Sequence, residues 1–427
     1  MTAHDRRVTG TVRLGLSSAR HPGAPTASSS RRNACIHRVA PLLCPHLSNV
    51  VPTYRTHVEP GRRHHDRLEP LHVGPVSTQG ARSPSDGIGT QMTERFLVTG
   101  AFGCLGAWVV HELVTNGTEA VAFDIGQDDY RIRYLVDEKN LTRVTYCKGD
   151  ITDAAAIAAA VRDFNVTNVI HLAALQMPFC AASPSLGAAV NVLGTINVFE
   201  AVKNSQAIER PIVYSSSVAA YDAIENPEVD PAALTGRPMS HYGVYKFTNE
   251  ANARVFAKED GLTSIGLRPH VVYGVGRDQG RTADPTLAML AAARGVSGEI
   301  TFSGTFQLQY ARDVARAFIA ASRATVEGAE VMNVGGAVVD SQEVAAAIGS
   351  VVPEMADRIT VSGEPLPFPS MLSSDELKAL IGPVETTVLK DGIAETIDRF
   401  SHLIASGKIA SYGGATSAAS TATDGIT

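Results

Sequence analysis

Cysteine is scarce in this chain: five residues among 427, none at the paired spacing of a zinc site and too few for a disulfide framework. A reducing compartment, the cytoplasm, is the expectation, and no metal centre. Apolar runs are short too, none approaching the roughly 18 residues that crossing a bilayer takes, so no membrane association is expected. The formal net charge of −6 is modest and acidic, which gives no electrostatic reason to expect nucleic acid as a partner. What remains is the composition of a globular protein long enough for a sizeable core.

Lysine is missing altogether from the first 91 residues, although that stretch carries twelve arginines, five acids and eight of the thirteen histidines among many Pro and Ser. No sustained periodicity runs through it, so residues 1–91 are expected to be a disordered Arg/His/Pro/Ser-rich extension. It reads as an organelle transit peptide, as a basic interaction tail that would then bind nucleic acid, or as sequence upstream of the true start. Met92, four residues before Phe96, makes the last reading the most economical. Residues 411–427, small and polar, are expected to form a disordered tail.

The stretch that organises the remainder runs Phe96-Leu97-Val98-Thr99-Gly100-Ala101-Phe102-Gly103-Cys104-Leu105-Gly106. An apolar β-forming run enters a turn with glycines three apart, and an amphipathic run from Ala107 to Val114 stops at Asn116-Gly117, which predicts strand, tight turn and helix. Gly100 allows the turn, Gly103 lets a phosphate approach the backbone, and Gly106 lets helix and strand pack closely. Free amides at the helix start then face an anion. Asp124 closes a second apolar run eighteen positions after Gly106. An acid there accepts hydrogen bonds from adenosine ribose hydroxyls and repels a 2′-phosphate, so the spacing predicts NAD rather than NADP.

Beyond Asp124, strand and helix patterns alternate. Further strands are expected at Val144–Cys147, Asn168–Leu172, Pro211–Ser215 and Ser264–Pro269, with an Ala-rich helix capped by Thr152 or Asp153 and a long helix from about Ser183 to Lys203 entered through Pro184. The fold class is therefore α/β, a Rossmann-type doubly wound parallel sheet with right-handed crossovers. Ligand should sit at the carboxyl ends of its strands, where strand order reverses. The fifth strand delivers Ser215-Ser216-Ser217 to that edge, and Tyr242 and Lys246, spaced by four, share one face of a helix running to about Lys258. Tyr245 points elsewhere, as packing or a rim contact.

Taken together these pieces resemble the extended short-chain dehydrogenase/reductases, the NAD-dependent epimerase/dehydratase family, from about Glu94 to about Ile409. The resemblance is carried by the glycine turn, Asp124, Gly149-Asp150-Ile151, His171-Leu172-Ala173-Ala174, Asn191-Val192-Leu193-Gly194-Thr195, the serine triplet and Tyr242 with Lys246. It implies an NAD-binding domain over 92–273 with catalytic Ser217, Tyr242 and Lys246, and a smaller, mainly substrate-binding lobe over 274–410 with returning Rossmann segments. For the cofactor it implies contacts from Gly100, Phe102, Gly103, Cys104, Leu105, Gly106 and Asp124, with Asp150 and Ile151 at the adenine. Leu172, Ala173 and Ala174 would line the trough, Ser215 and Pro269 would touch the cofactor, and Asn191 would support the site from the long helix. A homodimer is implied as well.

A phenol with an ordinary pKa near 10 is a poor base at neutral pH. Lys246, one turn along, and the nicotinamide cation would stabilise its phenolate. The mechanism the resemblance implies has Tyr242 take the proton of a substrate hydroxyl while the carbon beneath gives hydride to NAD, Ser217 hold that oxygen, and Lys246 also bind the nicotinamide ribose. The expected function is hydride transfer between NAD and a hydroxyl-bearing carbon of a sugar or sugar-derived substrate, the alternative being a UDP-hexose 4-epimerase that retains NAD. A non-catalytic NAD sensor fits poorly with the presence of Ser217, Tyr242 and Lys246.

The loop Gly276–Thr282 should face substrate, and its Arg277 and Arg281 suggest a ligand carboxylate or phosphate, a solvated loop being the other reading. Gln176, Met177 and Phe179 are candidate walls of the same pocket. Two departures from the family pattern bear on the substrate: Val271 stands where nucleotide-sugar members usually have Asn, and Phe306 where they usually have a nucleotide-binding Arg. Losing both donors leaves a diphosphate poorly neutralised and favours a smaller ligand without a nucleotide. A chain begun at Met92 is expected to fold and to bind NAD as the full chain does. Loss of either, read by circular dichroism and calorimetric titration, would show that residues 1–91 contribute.

Overall fold

In β1 (Arg95–Thr99), Phe96 and Val98 pack into one layer of helices and Leu97 into the other, and all three are fully buried. A strand covered on both faces has to be apolar at every position, which is why the run reads as continuous rather than alternating. β2 (Glu119–Asp124) follows the same logic, with Ala120 and Ala122 on the first side and Val121 and Phe123 on the second. The computed structural model describes residues 94–205, 207–221, 237–384 and 386–409. The extension expected at 1–91 and the tail expected at 411–427 lie outside the described residues.

The remaining strands are β3 (Val144–Lys148), β4 (Asn168–His171), β5 (Ile212–Ser215), β6 (Ser264–Arg268), β7 (Val271–Tyr273), β8 (Gly298–Ile300), β9 (Thr305–Tyr310), β10 (Ala329–Asn333), β11 (Ala337–Asp340) and β12 (Ile359–Val361). Seven of them build one sheet in the order β10-β6-β5-β4-β1-β2-β3, every pairing parallel. β10 returns from late in the chain to close its edge. A three-stranded sheet, β11-β9-β7, and a two-stranded one, β12-β8, stand beyond it. One helical layer holds Cys104–Thr115 and Ala311–Arg323, the other Ala154–Asp163, Gly194–Lys203 and His241–Asp260. This is the doubly wound α/β architecture that the alternation of strands and helices predicts.

Strand order reverses between β1 and β4, whose neighbours diverge to opposite sides of the sheet. There Thr99 pairs with His171, and their side chains meet at 2.7 Å between Oγ1 and Nδ1. Gly100 follows with φ +68°, and an added Cβ would lie 2.6 Å from the Ala173 amide nitrogen. Gly106 is tighter still, since a Cβ there would lie 2.2 Å from the Gly100 carbonyl oxygen. Only hydrogen fits at either position.

The long helix expected from Ser183 to Lys203 is interrupted. Pro184–Ala188 and Gly194–Lys203 are α-helical, but Ala189–Leu193 between them makes a π turn, the kind of insertion that re-aims a side chain near a site. Asn191, inside that turn, accepts from the Leu175 amide at 2.7 Å and donates to the Leu175 carbonyl at 3.0 Å, fixing the loop after β4. Among the described residues Pro184–Lys203 is the one helix long and apolar enough to cross a membrane by composition, a length that a reading of short apolar runs overlooks. Half of it is buried in the protein, and Asn197 donates from it to the Ile151 carbonyl, so it serves as a core helix. Of the two caps considered for the Ala-rich helix, Asp153 takes the position, accepting from the amides of Ala155 and Ala156.

Gly106→Ala is expected to force the glycine turn open, with a stability loss of about 1–3 kcal/mol and weaker NAD binding. A urea midpoint and an NAD titration indistinguishable from wild type would contradict the close approach.

Candidate active site

The helix His241–Asp260 starts at a serine cap, Ser240 Oγ accepting from the Gly243 amide at 3.0 Å. It sits hard against the turn after β5, because a Cβ on Gly243 would fall 2.1 Å from the Ala219 carbonyl oxygen. Residues four apart along this helix, Tyr242, Lys246 and Glu250, therefore look at the serine triplet in succession. The Ser217 hydroxyl stands near enough to the Tyr242 phenol to pull its pKa downward. Ser217 Oγ is aimed by accepting from the Ala219 amide at 3.1 Å. Lys246 Nζ donates to the Ser215 carbonyl at 2.6 Å and lies 5.5 Å from the centre of the Tyr242 ring.

Burial dominates the electrostatics here. It pushes the Lys246 ammonium from 10.5 down to about 8, and it raises the Tyr242 phenol, against which the nearby Ser217 hydroxyl and the Arg277 charge pull downward. Burial likewise lifts Cys104 to about 11, so at neutral pH it is a thiol and not a nucleophile. His171 is driven down to about 3 and stays neutral.

Glu250 carries a network that the sequence reading missed. It accepts from Ser216 Oγ and, through both oxygens, from Arg268 Nε at 2.8 Å and Nη2 at 2.6 Å. Arg268 Nη1 in turn donates to the Tyr221 hydroxyl at 2.9 Å, and that hydroxyl donates to Asn333 Oδ1 at 2.8 Å. The clamp ties the exit of β5 to β6, β10 and the helix His241–Asp260. Its one sequence signal is the four-residue step from Lys246 to Glu250, which repeats the step from Tyr242.

A cavity of about 390 Å³ opens above these groups. Of the residues expected to hold cofactor, Gly100, Gly103, Cys104, Leu105, Gly106, Leu172, Ala174, Ser215, Tyr242, Lys246 and Pro269 line it, and so do Gln176, Met177, Ser217, Arg277 and Arg281 from the expected substrate side. Phe102, Asp124, Asp150, Ile151, Ala173 and Asn191 lie outside its wall. Asp150 folds back onto Thr152, and the Ile151 side chain packs toward Gly194 in the core. Phe179 does not reach the cavity and is 45% exposed. Tyr245 is packing, its hydroxyl donating to the Pro184 carbonyl at 2.7 Å. Missed by the sequence reading are His270 and the strap Leu366, Pro367 and Phe368, which roof the cavity.

The empty-handed donors at the glycine turn fit a dinucleotide. The helix Cys104–Thr115 begins at Gly103 with no side-chain cap, so its first amides are free for an anion. Asp124 stands fixed at the tip of β2, accepting from the Phe102 and Gly126 amides at 2.9 Å each. Each carboxylate oxygen keeps a further lone pair for a ribose hydroxyl.

Comparison with known proteins points the same way. Residues 96–335 match the profile described as the NAD dependent epimerase/dehydratase family. A UDP-glucose 4-epimerase of Mycolicibacterium smegmatis is 27% identical over 326 residues, covering 72% of this chain and 98% of its own. The human 3 beta-hydroxysteroid dehydrogenase type 7 is 33% identical over 193 residues, about half of its length. Among solved structures, the UDP-glucose 4-epimerase of Thermus thermophilus in complex with NAD superposes with a TM-score of 0.60 at 26% identity, covering 72% of this chain and 98% of its own.

With Lys246 at about 8 folded and near 10.5 unfolded, the unfolded chain keeps a proton that the folded one has released between those values, so this group makes stability rise with pH through that window. Lys246→Met is expected to abolish that rise. Urea midpoints measured from pH 7.5 to 10.5 for both proteins check it.

Proposed function

The chain belongs to the NAD-dependent epimerase/dehydratase family, and from that premise we propose that it oxidises a hydroxyl-bearing carbon of a sugar or sugar-derived substrate in a single hydride step, with Tyr242 as the base. The observation that carries this reading is that Ser217 and Tyr242 line one cavity beside the buried Lys246 ammonium, at the carboxyl edge where the glycine turn opens. NAD, when bound, supplies the hydride acceptor and a positive ring beside the phenol. Tyr242 takes the hydroxyl proton, Ser217 holds the reacting oxygen, and Lys246 keeps the phenolate form within reach. The carbinol thus loses one hydride and one proton and leaves as a carbonyl. Asp124 selects the unphosphorylated ribose, which makes NAD and not NADP the cofactor.

The lack of two nucleotide donors weighs against a nucleotide-bearing substrate. Val271 and Phe306, at the places of the two missing nucleotide donors, are each 1% exposed, and Phe306 packs edge-on against Phe302. The length shared with the mycobacterial UDP-glucose 4-epimerase favours a second reading, in which the hydride returns to the opposite face of the same carbon. The two differ in the fate of the cofactor: an oxidation releases NADH in step with substrate, an epimerisation releases none.

We also propose a homodimer and a cytoplasmic setting. Leu186 and Leu193 on one helix and Val244 and Val255 on the catalytic helix beside it are 42–51% exposed, an apolar face that a second copy would cover. Tyr242→Phe is expected to leave the far-ultraviolet dichroism and NAD affinity unchanged and to lower turnover about 10²- to 10⁴-fold. An unaltered rate of NADH release would assign the base elsewhere.

A further inference from the structure

We infer that Arg277 anchors a single carboxylate of the substrate, so that the alcohol oxidised beside Tyr242 is a sugar acid. The inference rests on the reading above that a carbinol occupies the cavity. It begins from the state of the guanidinium. Arg277 lines the same cavity as Tyr242 and Ser217, and its charge is felt at the Tyr242 phenol. Yet its one side-chain hydrogen bond goes to a neutral group, Nη2 donating to Thr282 Oγ1 at 2.8 Å, while Nε is buried and unpartnered. Among the described residues no carboxylate lies within ion-pair distance of it.

The acid next in sequence is already engaged. Asp278 accepts from Arg131 Nη2 at 2.7 Å and from the Tyr130 hydroxyl at 2.7 Å, and Arg131 also holds the carbonyls of Phe102 and Gly276. Loop and cofactor turn are thereby locked together, and Arg277 is left as a half-buried cation without a counter-charge. A cation in that setting is stabilised when the ligand brings an anion, and guanidinium matches a carboxylate with two parallel donors.

The donors left free decide which cation meets that anion. Arg281, the other arginine of the loop, commits Nη2 to the carbonyls of Thr301 and Glu364 at 3.1 and 3.2 Å. Lys246 is engaged with Ser215. A carboxylate's two oxygens match the paired donors of one guanidinium, whereas a phosphate ester, with three oxygens and about −1.5 to −2 charge at neutral pH, calls for more donors than Arg277 alone keeps free. The apolar strap Leu366–Phe368, which also lines the cavity, adds no charge. Carboxylate is therefore the anion that one free guanidinium fork accommodates.

The test uses the full chain with NAD bound and four- to six-carbon aldonates against the matching neutral aldonamides. In the Tyr242→Phe background, where no turnover competes, calorimetric titration is expected to give aldonates about 10- to 100-fold tighter than aldonamides. Adding Arg277→Gln should erase that difference with NAD affinity and melting temperature unchanged, and Arg277→Lys should restore part of it. In the otherwise wild-type protein the acid-to-amide ratio of kcat/KM, followed by NADH absorbance, should fall by the same factor on Arg277→Gln. Equal binding of acid and amide, a ratio untouched by Arg277→Gln, a loss of NAD affinity instead, or a preference for sugar phosphates would each overturn the assignment. Neutral sugars oxidised at a rate indifferent to Arg277 would remove it while leaving the proposed oxidation intact. UDP-hexoses changing configuration without NADH would remove both.

Discussion

An ammonium group sealed inside the protein sets the terms for its surroundings. Lys246 is 4% exposed, and its Nζ reaches the Ser215 carbonyl at 2.6 Å beside the face of the Tyr242 ring. Taking that charge out of water is costly, and what offsets the cost is a carbonyl, an aromatic face and the field of Glu250 one turn further along. All three must stay in register. The bidentate Glu250–Arg268 pair and the Ser216 hydroxyl hold the end of β5 where the ammonium needs it, so a structural ion pair underlies a chemical one. The poised lysine and the rigid serine turn are two consequences of one arrangement.

A second set of polar contacts joins the glycine-turn side to the helix His241–Asp260, and its donors run in one direction. The Ala173 amide donates to Thr99 Oγ1, and that hydroxyl meets His171 Nδ1 at 2.7 Å. Thr195 Oγ1 donates to the Asn191 carbonyl at 2.7 Å, so it must accept at 3.0 Å from His171 Nε2 and at 3.0 Å from Asn249 Nδ2. The proton of neutral His171 therefore sits on Nε2, and Nδ1 accepts from Thr99. Through Asn191 the same network fixes Leu175, at the rim of the cavity. The reversal of strand order at β1 and β4, the π turn and the helix His241–Asp260 are thus wired by buried hydrogen bonds, an arrangement that favours one geometry over near alternatives.

Much of this was legible in the sequence because it follows from local periodicity. β1 is apolar at consecutive positions because both its faces are buried, Gly100 and Gly106 are glycines because nothing larger fits, and Tyr242 and Lys246 meet because four residues make a helical turn. The π turn at Asn191 was not legible, since an inserted residue leaves an apolar helix looking continuous. Nor were Arg268, Tyr221 and Asn333, each a polar residue at a strand end whose role arises only when β5, β6 and β10 lie side by side. Phe179 read as a pocket wall because an aromatic after β4 suits either inside or outside, and the short helix Met177–Ala182 turns it outward.

The substrate end of the cavity belongs to a different kind of order. Its roof, Leu366 to Phe368, lies in a segment without helix or strand, held by loop contacts: His270 Nε2 donates to the Pro369 carbonyl at 2.8 Å, and Arg281 reaches the Glu364 carbonyl. No sequence period encodes such contacts, because each joins residues some eighty to a hundred positions apart. The cost of altering them is also small beside that of disturbing the Lys246 or Glu250 environment, since they are single bonds to neutral carbonyls rather than members of a buried charged network. Chemistry is therefore anchored where the sheet is least tolerant of change and selection where it is most tolerant. Within that division Arg277 stands at the boundary, its loop pinned to the cofactor turn through Asp278 and Arg131 while its own guanidinium faces the cavity.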